Sequence, residues 1–297
     1  MKINNLREIL EGCLLGDGSI LNEKDKYFRF IVASKSKKLL EWIGKIIKNI
    51  SKKVNIYYTQ DKRNKVWKMY VKFRNNELLI SLERKWYKKV GNGRKKVIPK
   101  DLRLTPTVLL FWYLGDGSLI RRKNSDRVPF IVFATNCFSK SEINLLIKKL
   151  KKLGLNFYPV KYKSGFTGKS CGYCIYSSTE DETVFKFFKL IGFKPPKEIE
   201  NCILGKKGKY RKVKCVKDKW PNKEDWIRIL SNVKEIGRIF KEKRKELGLT
   251  QSQLAKRIGI SREHIRDIEN EKRRGSVRVV RKIMKEFKLG PFELLRS

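Results

Sequence analysis

The stretch "LEGCLLGDGSI", residues 10–20, runs as an apolar helix into Gly-Asp-Gly and then changes character, and "LLFWYLGDGSL", residues 109–119, does the same 99 residues later. In the first copy Leu10, Cys13, Leu14 and Asp17 recur at helical spacing. Gly12 and Gly16 lie four apart on a neighbouring stripe. Glycine is costly inside a helix, so a pair at this spacing predicts the close approach of another backbone. The second copy keeps Gly115 at the place of Gly16 but has Phe111 at that of Gly12, which predicts a looser or differently arranged upper contact. Two such helices packed side by side bring Asp17 and Asp116 together at one end. That is an electrostatically poor position, because a helix C-terminus carries partial negative charge and two carboxylates repel. Hard divalent cations, Mg²⁺ above all, suit such oxygen donors, and acidic ligands holding metal beside a nucleic acid are an arrangement for phosphodiester hydrolysis. For a single copy, the plainer reading of the aspartate is a helix-ending turn residue.

The repetition extends beyond the two motifs. "FRFIVASKSKKLLEWIGKIIK" (28–48) is echoed by "PFIVFATNCFSKSEINLLIKKL" (129–150), with Phe30 following Asp17 by 13 residues and Phe130 following Asp116 by 14. Each copy places Phe-Ile-Val on a strand, then a polar turn, then an amphipathic helix. A repeat near 100 residues long predicts two fused copies of one α+β unit. In "VWKMYVKF" (66–73), Trp67, Met69, Val71 and Phe73 share one face, while Val66, Lys68, Tyr70 and Lys72 share the other. Lys161 and Lys163 alternate with Val160 and Tyr162 in the same way. With Arg29 on the earlier strand, these lysines are candidates for contacts along a DNA groove, against the alternative of ordinary solvated strand faces.

Composition supports a polyanionic partner. The 297 residues carry a formal net charge of +42, with Lys+Arg 72 against Asp+Glu 30. The longest apolar run is too short to span a bilayer. The charged first residues lack a signal-peptide pattern, so an intracellular location, cytoplasm or nucleoid, is expected. Six cysteines dispersed along a long basic chain do not read as a disulfide scaffold. Cys171 and Cys174 form a C-x-x-C spacing without a second pair and read as strand residues rather than a zinc site. The single histidine is His264, so catalysis in the repeated units must rest on carboxylates, lysines, hydroxyls or thiols.

Together with "KKVIPKDLRLTPTVLLFWYLGDGS" (95–118), the two motifs resemble the LAGLIDADG homing endonucleases in their two-motif, single-chain form, over roughly residues 6–205. The resemblance implies two pseudo-symmetric αββαββα halves, 1–100 and 101–205, each with a saddle-shaped antiparallel sheet lying on double-stranded DNA. It implies that Asp17 and Asp116, with the carbonyls of Gly16 and Gly115, hold Mg²⁺. It also implies a basic residue near each scissile phosphate. Lys96 matches that position in the first half. In the second half the simplest alignment gives Asn201, leaving Lys194, Lys197 or Lys206 as substitutes.

Residues 206–232 read as a basic linker broken by Pro221. Beyond it, 233–297 resembles the Cro/repressor type of helix-turn-helix domain. Thr250 caps a helix over Gln251–Ile258, Gly259 makes the turn, and Ser261 caps a helix over Arg262–Asn270. Gln251, Ser261, Arg262, His264 and Arg266 are then expected to face DNA. The reading as a whole is a monomeric, Mg²⁺-dependent, sequence-specific endonuclease of intron-homing type. The alternatives are a non-catalytic regulator built from the same domains, or an intron maturase with host intron RNA as a further partner.

Overall fold

The computed structural model describes residues 3–23, 27–63, 65–122, 125–163, 170–204 and 215–295. The first half opens with helix α1 (Leu6–Leu15), capped by the Asn5 side chain on Glu8 N–H. Strands β1 (Gly18–Glu23) and β2 (Tyr27–Ser34), helix α2 (Lys37–Ile50), strands β3 (Val54–Asp61) and β4 (Val66–Phe73), helix α3 (Glu77–Trp86) and the hairpin β5 (Tyr87–Val90) and β6 (Gly93–Lys96) follow. The second half repeats the order: α4 (Pro106–Asp116), β7 (Gly117–Ile120), β8 (Phe130–Phe133), α5 (Lys140–Lys151), β9 (Phe157–Lys163), β10 (Ser170–Ser177) and α6 (Thr183–Ile191). The two four-stranded sheets have the same antiparallel order, β1-β2-β4-β3 and β7-β8-β10-β9. This is the α+β pseudo-repeat expected from the sequence.

Period-two alternation decides what each sheet buries. Phe30, Val32, Met69, Val71 and Phe73 of the first sheet, and Ile131, Phe133, Phe157 and Ile175 of the second, face one continuous core beneath the helices. The two halves meet along α1 and α4. A methyl group built on Gly12 would lie 2.7 Å from the Val108 carbonyl oxygen and 2.8 Å from Phe111 Cβ. The upper contact is therefore tight rather than loose. Phe111 fits against the bare backbone at Gly12, and its ring stacks on Trp42 at 5.8 Å.

The segment expected as a linker is folded where it is described. Residues 205–214 lie outside the described residues. A 3₁₀ turn, Val216–Lys219, leads through Pro221 into α7 (Lys223–Leu230), which is closed by an Asn222–Asp225 capping box. By its lysines alone the segment predicts a solvated linker. The structure is instead decided by Val216, Trp220, Trp226, Ile227, Ile229 and Leu230, which are all buried. Trp226 and Ile229 enter the core of the repeated units, whereas Ile227 and Leu230 enter a second core formed by the C-terminal helices. These are α8 (Ile236–Glu246), α9 (Gln251–Ile258), α10 (Arg262–Glu269), α11 (Val277–Glu286) and α12 (Pro291–Leu294). Thr250 caps α9 in a capping box, Gly259 turns at φ 67°, and Ser261 caps α10, as the sequence predicts.

Substituting Gly12 by valine should force α1 and α4 apart and destabilise the chain by about 2–3 kcal/mol. Gly93→Ala, where the nearest atom to the added methyl is 3.7 Å away, should stay within about 0.5 kcal/mol of the parent. Urea denaturation of both variants checks the contrast.

Candidate active site

The interhelical contact that begins at Gly12 ends at the aspartates. A methyl group on Gly16 would lie 3.5 Å from Asp116 N and 3.7 Å from the Asp116 carboxyl carbon; one on Gly115 would lie 3.4 Å from Asp17 N and 3.8 Å from Asp17 Oδ2. Each carboxylate thus stands over the glycine of the opposite helix. The glycines that follow fold the chain sharply back. Added methyls would come within 2.6 Å of the Cys13 carbonyl at Gly18 and within 2.0 Å of the Tyr113 ring at Gly117. The glycine after each aspartate is accordingly a backbone requirement, whereas a methyl at Gly16 or Gly115 would make an ordinary contact across the interface.

A lysine caps each helix end. Lys96, at the end of β6, donates its ammonium protons to the carbonyls of Leu14 (2.9 Å), Gly16 (3.1 Å) and Gly18 (2.8 Å). Lys219, from the 3₁₀ turn, donates to those of Tyr113 (3.1 Å), Leu114 (2.7 Å) and Gly115 (3.0 Å). Positive charge at a helix C-terminus offsets its partial negative charge. Here it also stands beside the acid that follows. Among the described residues the lysine at the second helix end, as Lys96 is at the first, is Lys219, and neither Lys194 nor Lys197 stands there. Lys194 is exposed and lies over the Phe292 ring at 4.3 Å, Lys197 is exposed on the turn after α6, and Lys206 lies outside the described residues. Asn201, the aligned residue, is also exposed and accepts from Lys217. A signal was present in the sequence: Lys219-Trp-Pro221 echoes Lys96-Val-Ile-Pro99.

Burial raises the Asp17 carboxyl, against the opposing charges of Lys219 and Lys96. Its surface is still open to solvent, so protein crowds it on the remaining sides. Asp116 is pushed up to about 7, first by burial and then by the charge of Asp17, with Lys96 and Lys219 pulling the other way. Burial likewise lowers the Lys96 ammonium. The two lysines do not fully compensate the two acids. The donor set of two carboxylates with the Gly16 and Gly115 carbonyls is all hard oxygen and fits a divalent cation such as Mg²⁺. Among the described residues no group of three or more His, Cys, Asp or Glu is placed to hold a metal. Any cation at this site would complete its shell with water and phosphate oxygens.

The strand faces separate the predicted DNA contacts. In the first sheet the buried Phe30, Met69 and Val71 leave Arg29, Lys68, Tyr70 and Lys72 on the opposite, open face. Tyr57 stacks flat on Tyr70 at 4.8 Å and accepts from Arg29 at 3.0 Å. In the second sheet the inward anchor of β9 is Phe157, so alternation puts Lys161 on the side of the helices rather than on the groove face, although it remains exposed. The open face there carries Tyr158, opposite Tyr176, with Phe130 beside it. The side chains of Lys163 and Cys171 lie outside the described residues, and Cys174 is a buried strand residue.

In the C-terminal domain Ser261, Arg262 and Arg266 are exposed on α10, with Arg266 against Asp267. Gln251, expected to face DNA, is half-buried at the start of α9 and donates to Glu269 Oε2 at 2.9 Å. It completes a buried network in which Arg244 grips Glu269 with two bonds of 2.6 and 2.9 Å. His264 is also half-buried, its Nε2 enclosed without a hydrogen-bond partner among the described residues.

Two pseudo-symmetric halves joined at helices that end in paired acids, with a helix-turn-helix domain attached, define a distinct class of protein architecture. The chain belongs to the LAGLIDADG DNA endonuclease family, whose sequence pattern matches residues 7–185, more than half of its length. A helix-turn-helix family matches residues 240–294. One relative, the uncharacterized protein MJ1098 of Methanocaldococcus jannaschii, is 32% identical over 158 residues, which is 52% of this chain and 58% of that protein. The chain thus spans little more than half the length of that relative. Among solved structures it is similar to the homing endonuclease I-WcaI bound to its DNA recognition sequence (TM-score 0.48, 22% identity, 64% of this chain and 83% of that one). It is also similar to mesophilic variants of the homing endonuclease I-DmoI (TM-score 0.41, 16% identity, 63% and 94%). Among the described residues no helix is long and apolar enough to cross a membrane.

The raised Asp116 carboxyl sets a pH dependence for the metal-free chain. Its folded pKa lies above its unfolded value, so the folded state holds a proton that the unfolded state has lost. That contribution is complete at pH below about 4 and disappears as pH rises through about 7. In EDTA the stability difference between Asp116→Asn and the parent should therefore widen in favour of the variant from pH 5 to pH 8, read from urea midpoints. A difference that stays flat with pH would rule out this assignment.

Proposed function

We propose that the protein is a sequence-specific double-strand DNA endonuclease that acts as a monomer. The observation that carries this reading is the convergence of Asp17 and Asp116 across the α1–α4 interface, each beside a lysine that caps its helix. Mg²⁺ would be held by the two carboxylates with the Gly16 and Gly115 carbonyls; when bound it supplies charge stabilisation at the scissile phosphate and assists ionisation of water.

The chain's own residues do the rest. The Asp17 and Asp116 carboxylates set the negative end of the site at the junction of the two halves, so that both strands of one duplex are served by one monomer. Lys96 and Lys219 hold the Gly-Asp-Gly backbones in place and put a positive charge beside each acid, where a phosphodiester approaches. Arg29, Lys68 and Lys72, with Tyr57 and Tyr70, offer cations and flat rings to the backbone and base edges of the duplex. Arg262 and Arg266 on α10 present a second reading element to a major groove. The net charge of +42 supports strong, salt-sensitive association. Retention of both aspartates favours the nuclease over a purely regulatory DNA-binding role.

Selection of cleaved sites from a randomised duplex library with Mg²⁺ should return a long, asymmetric target. On that target Asp17→Asn and Asp116→Asn should each abolish double-strand cleavage while changing the dissociation constant by no more than about threefold. Loss of binding in step with loss of cutting would show that the aspartates hold the fold rather than the chemistry. Replacing Arg262 and Arg266 together by alanine should weaken binding by about 1–3 kcal/mol and reduce the salt slope, measured by fluorescence anisotropy.

A further inference from the structure

Arg121 follows β7 at the edge of the second sheet, and its whole guanidinium turns back onto the segment that carries Lys219. Nη1 donates to the Asp218 carbonyl at 2.8 Å and Nη2 to the Trp220 carbonyl at 2.8 Å, the two peptide oxygens on either side of Lys219. Nε donates to Asp225 Oδ2 at 2.7 Å. Asp225 is buried in the first turn of α7, and the same oxygen accepts the Asn222 N–H of the capping box at 3.0 Å. Trp220 fixes the far side: its indole donates to the Gly192 carbonyl at 2.8 Å and its ring meets Tyr113 edge-on at 5.4 Å. All three guanidinium nitrogens have protein partners, which argues against a primary role as a phosphate contact.

We propose that Arg121 is a positioning residue for Lys219, and that it ties cutting of one DNA strand to the docking of α7 and, through α7, of the helix-turn-helix domain. The proposal rests on the nuclease reading above. One fork holds the backbone on both sides of the lysine and the buried acid of α7. That helix sends Trp226 into the core of the repeated units and Ile227 and Leu230 into the core of the C-terminal domain. Trp226 packs edge-on with Phe292 of α12, and Arg274 reaches from the C-terminal domain to the Glu180 carbonyl and to Asn232. The C-terminal domain is therefore a supporting wall for the turn that carries Lys219, not only a tethered DNA reader. The first half is built differently. Lys96 is held in register by the β5–β6 hairpin through its pairing with Tyr87, and the residue five places after Asp17 is Asn22 where the residue five places after Asp116 is Arg121. Loss of Arg121 should consequently be felt on one strand only.

The test is strand-resolved cleavage of a supercoiled plasmid bearing the selected target, with the full-length chain at saturating concentration and Mg²⁺. Arg121→Gln should slow the same strand as Lys219→Met, by about tenfold or more, and nicked circle should accumulate. Lys96→Met should slow the other strand. The Arg121→Gln, Lys219→Met double variant should be no slower on its strand than Lys219→Met alone, because the fork acts through the lysine. Arg121→Lys, which keeps the charge but not the fork, should show the same strand bias and carries the test if the glutamine variant does not fold. Equal slowing of both strands, multiplicative effects in the double variant, or normal rates in both Arg121 variants would overturn the assignment while leaving the nuclease reading intact. A parent chain that cuts neither strand would overturn the nuclease reading and the role of Arg121 with it.

Discussion

Everything at the centre of this protein depends on how closely α1 and α4 approach. Backbone meets backbone at Gly12 and again at Gly16 and Gly115, and only that distance lets carboxylates from two separate halves share one site. The arrangement works against itself electrostatically. Two acids at two helix C-termini add like charges to partial charges of the same sign. The lysines that cap those helices are the chain's partial answer; burial first, and then the charge of Asp17, still hold Asp116 up at about 7. The donors gathered there, two carboxylates and two carbonyls, are hard oxygens of the kind that suits a divalent cation.

The two halves solve the same geometric problem by different routes. Lys96 arrives on a regular hairpin whose strands pair Tyr87 with Lys96. Lys219 arrives on a 3₁₀ turn pinned by a tryptophan and an arginine, and the chain then continues into a helix shared with the next domain. Duplication followed by divergence allows this, because what must be kept is the position of an ammonium group and not the path by which it gets there. The same freedom explains Phe111. It replaces the second copy's upper glycine, and the interface stays tight because the bare backbone of Gly12 faces it.

Much of this was legible in the residues. The repeated Gly-Asp-Gly, the Phe-Ile-Val strands and the Thr250 and Ser261 caps are local patterns, and the helices and strands form where those patterns put them. Three features were not legible, for distinct reasons. Lys219 was hidden because it follows Asp116 by 103 residues where Lys96 follows Asp17 by 79, and the simplest alignment of the proline-containing stretch stops at Asn201; the Lys-Trp-Pro echo was the surviving signal. Lys161 was assigned to the wrong face because alternation fixes which residues share a side but not which side is inward; that choice belongs to Phe157 packing on the core. The bond from Gln251 to Glu269 was hidden because its partner is a buried acid, already gripped by Arg244, that only the packing of α8, α9 and α10 brings close.

The segment 215–232 shows the same lesson at the level of domains. Its lysines made it look like a tether, but the number of charges does not decide whether a segment folds; the apolar surface it can bury does. Trp220, Trp226, Ile227, Ile229 and Leu230 are all buried, and they face two different cores. A helix that belongs to both cores cannot leave one without exposing apolar surface from each. The coupling proposed between the C-terminal domain and the turn bearing Lys219 would therefore need no conformational signal. It would follow from shared burial, since α7 belongs to both cores and continues directly from the turn that carries the lysine.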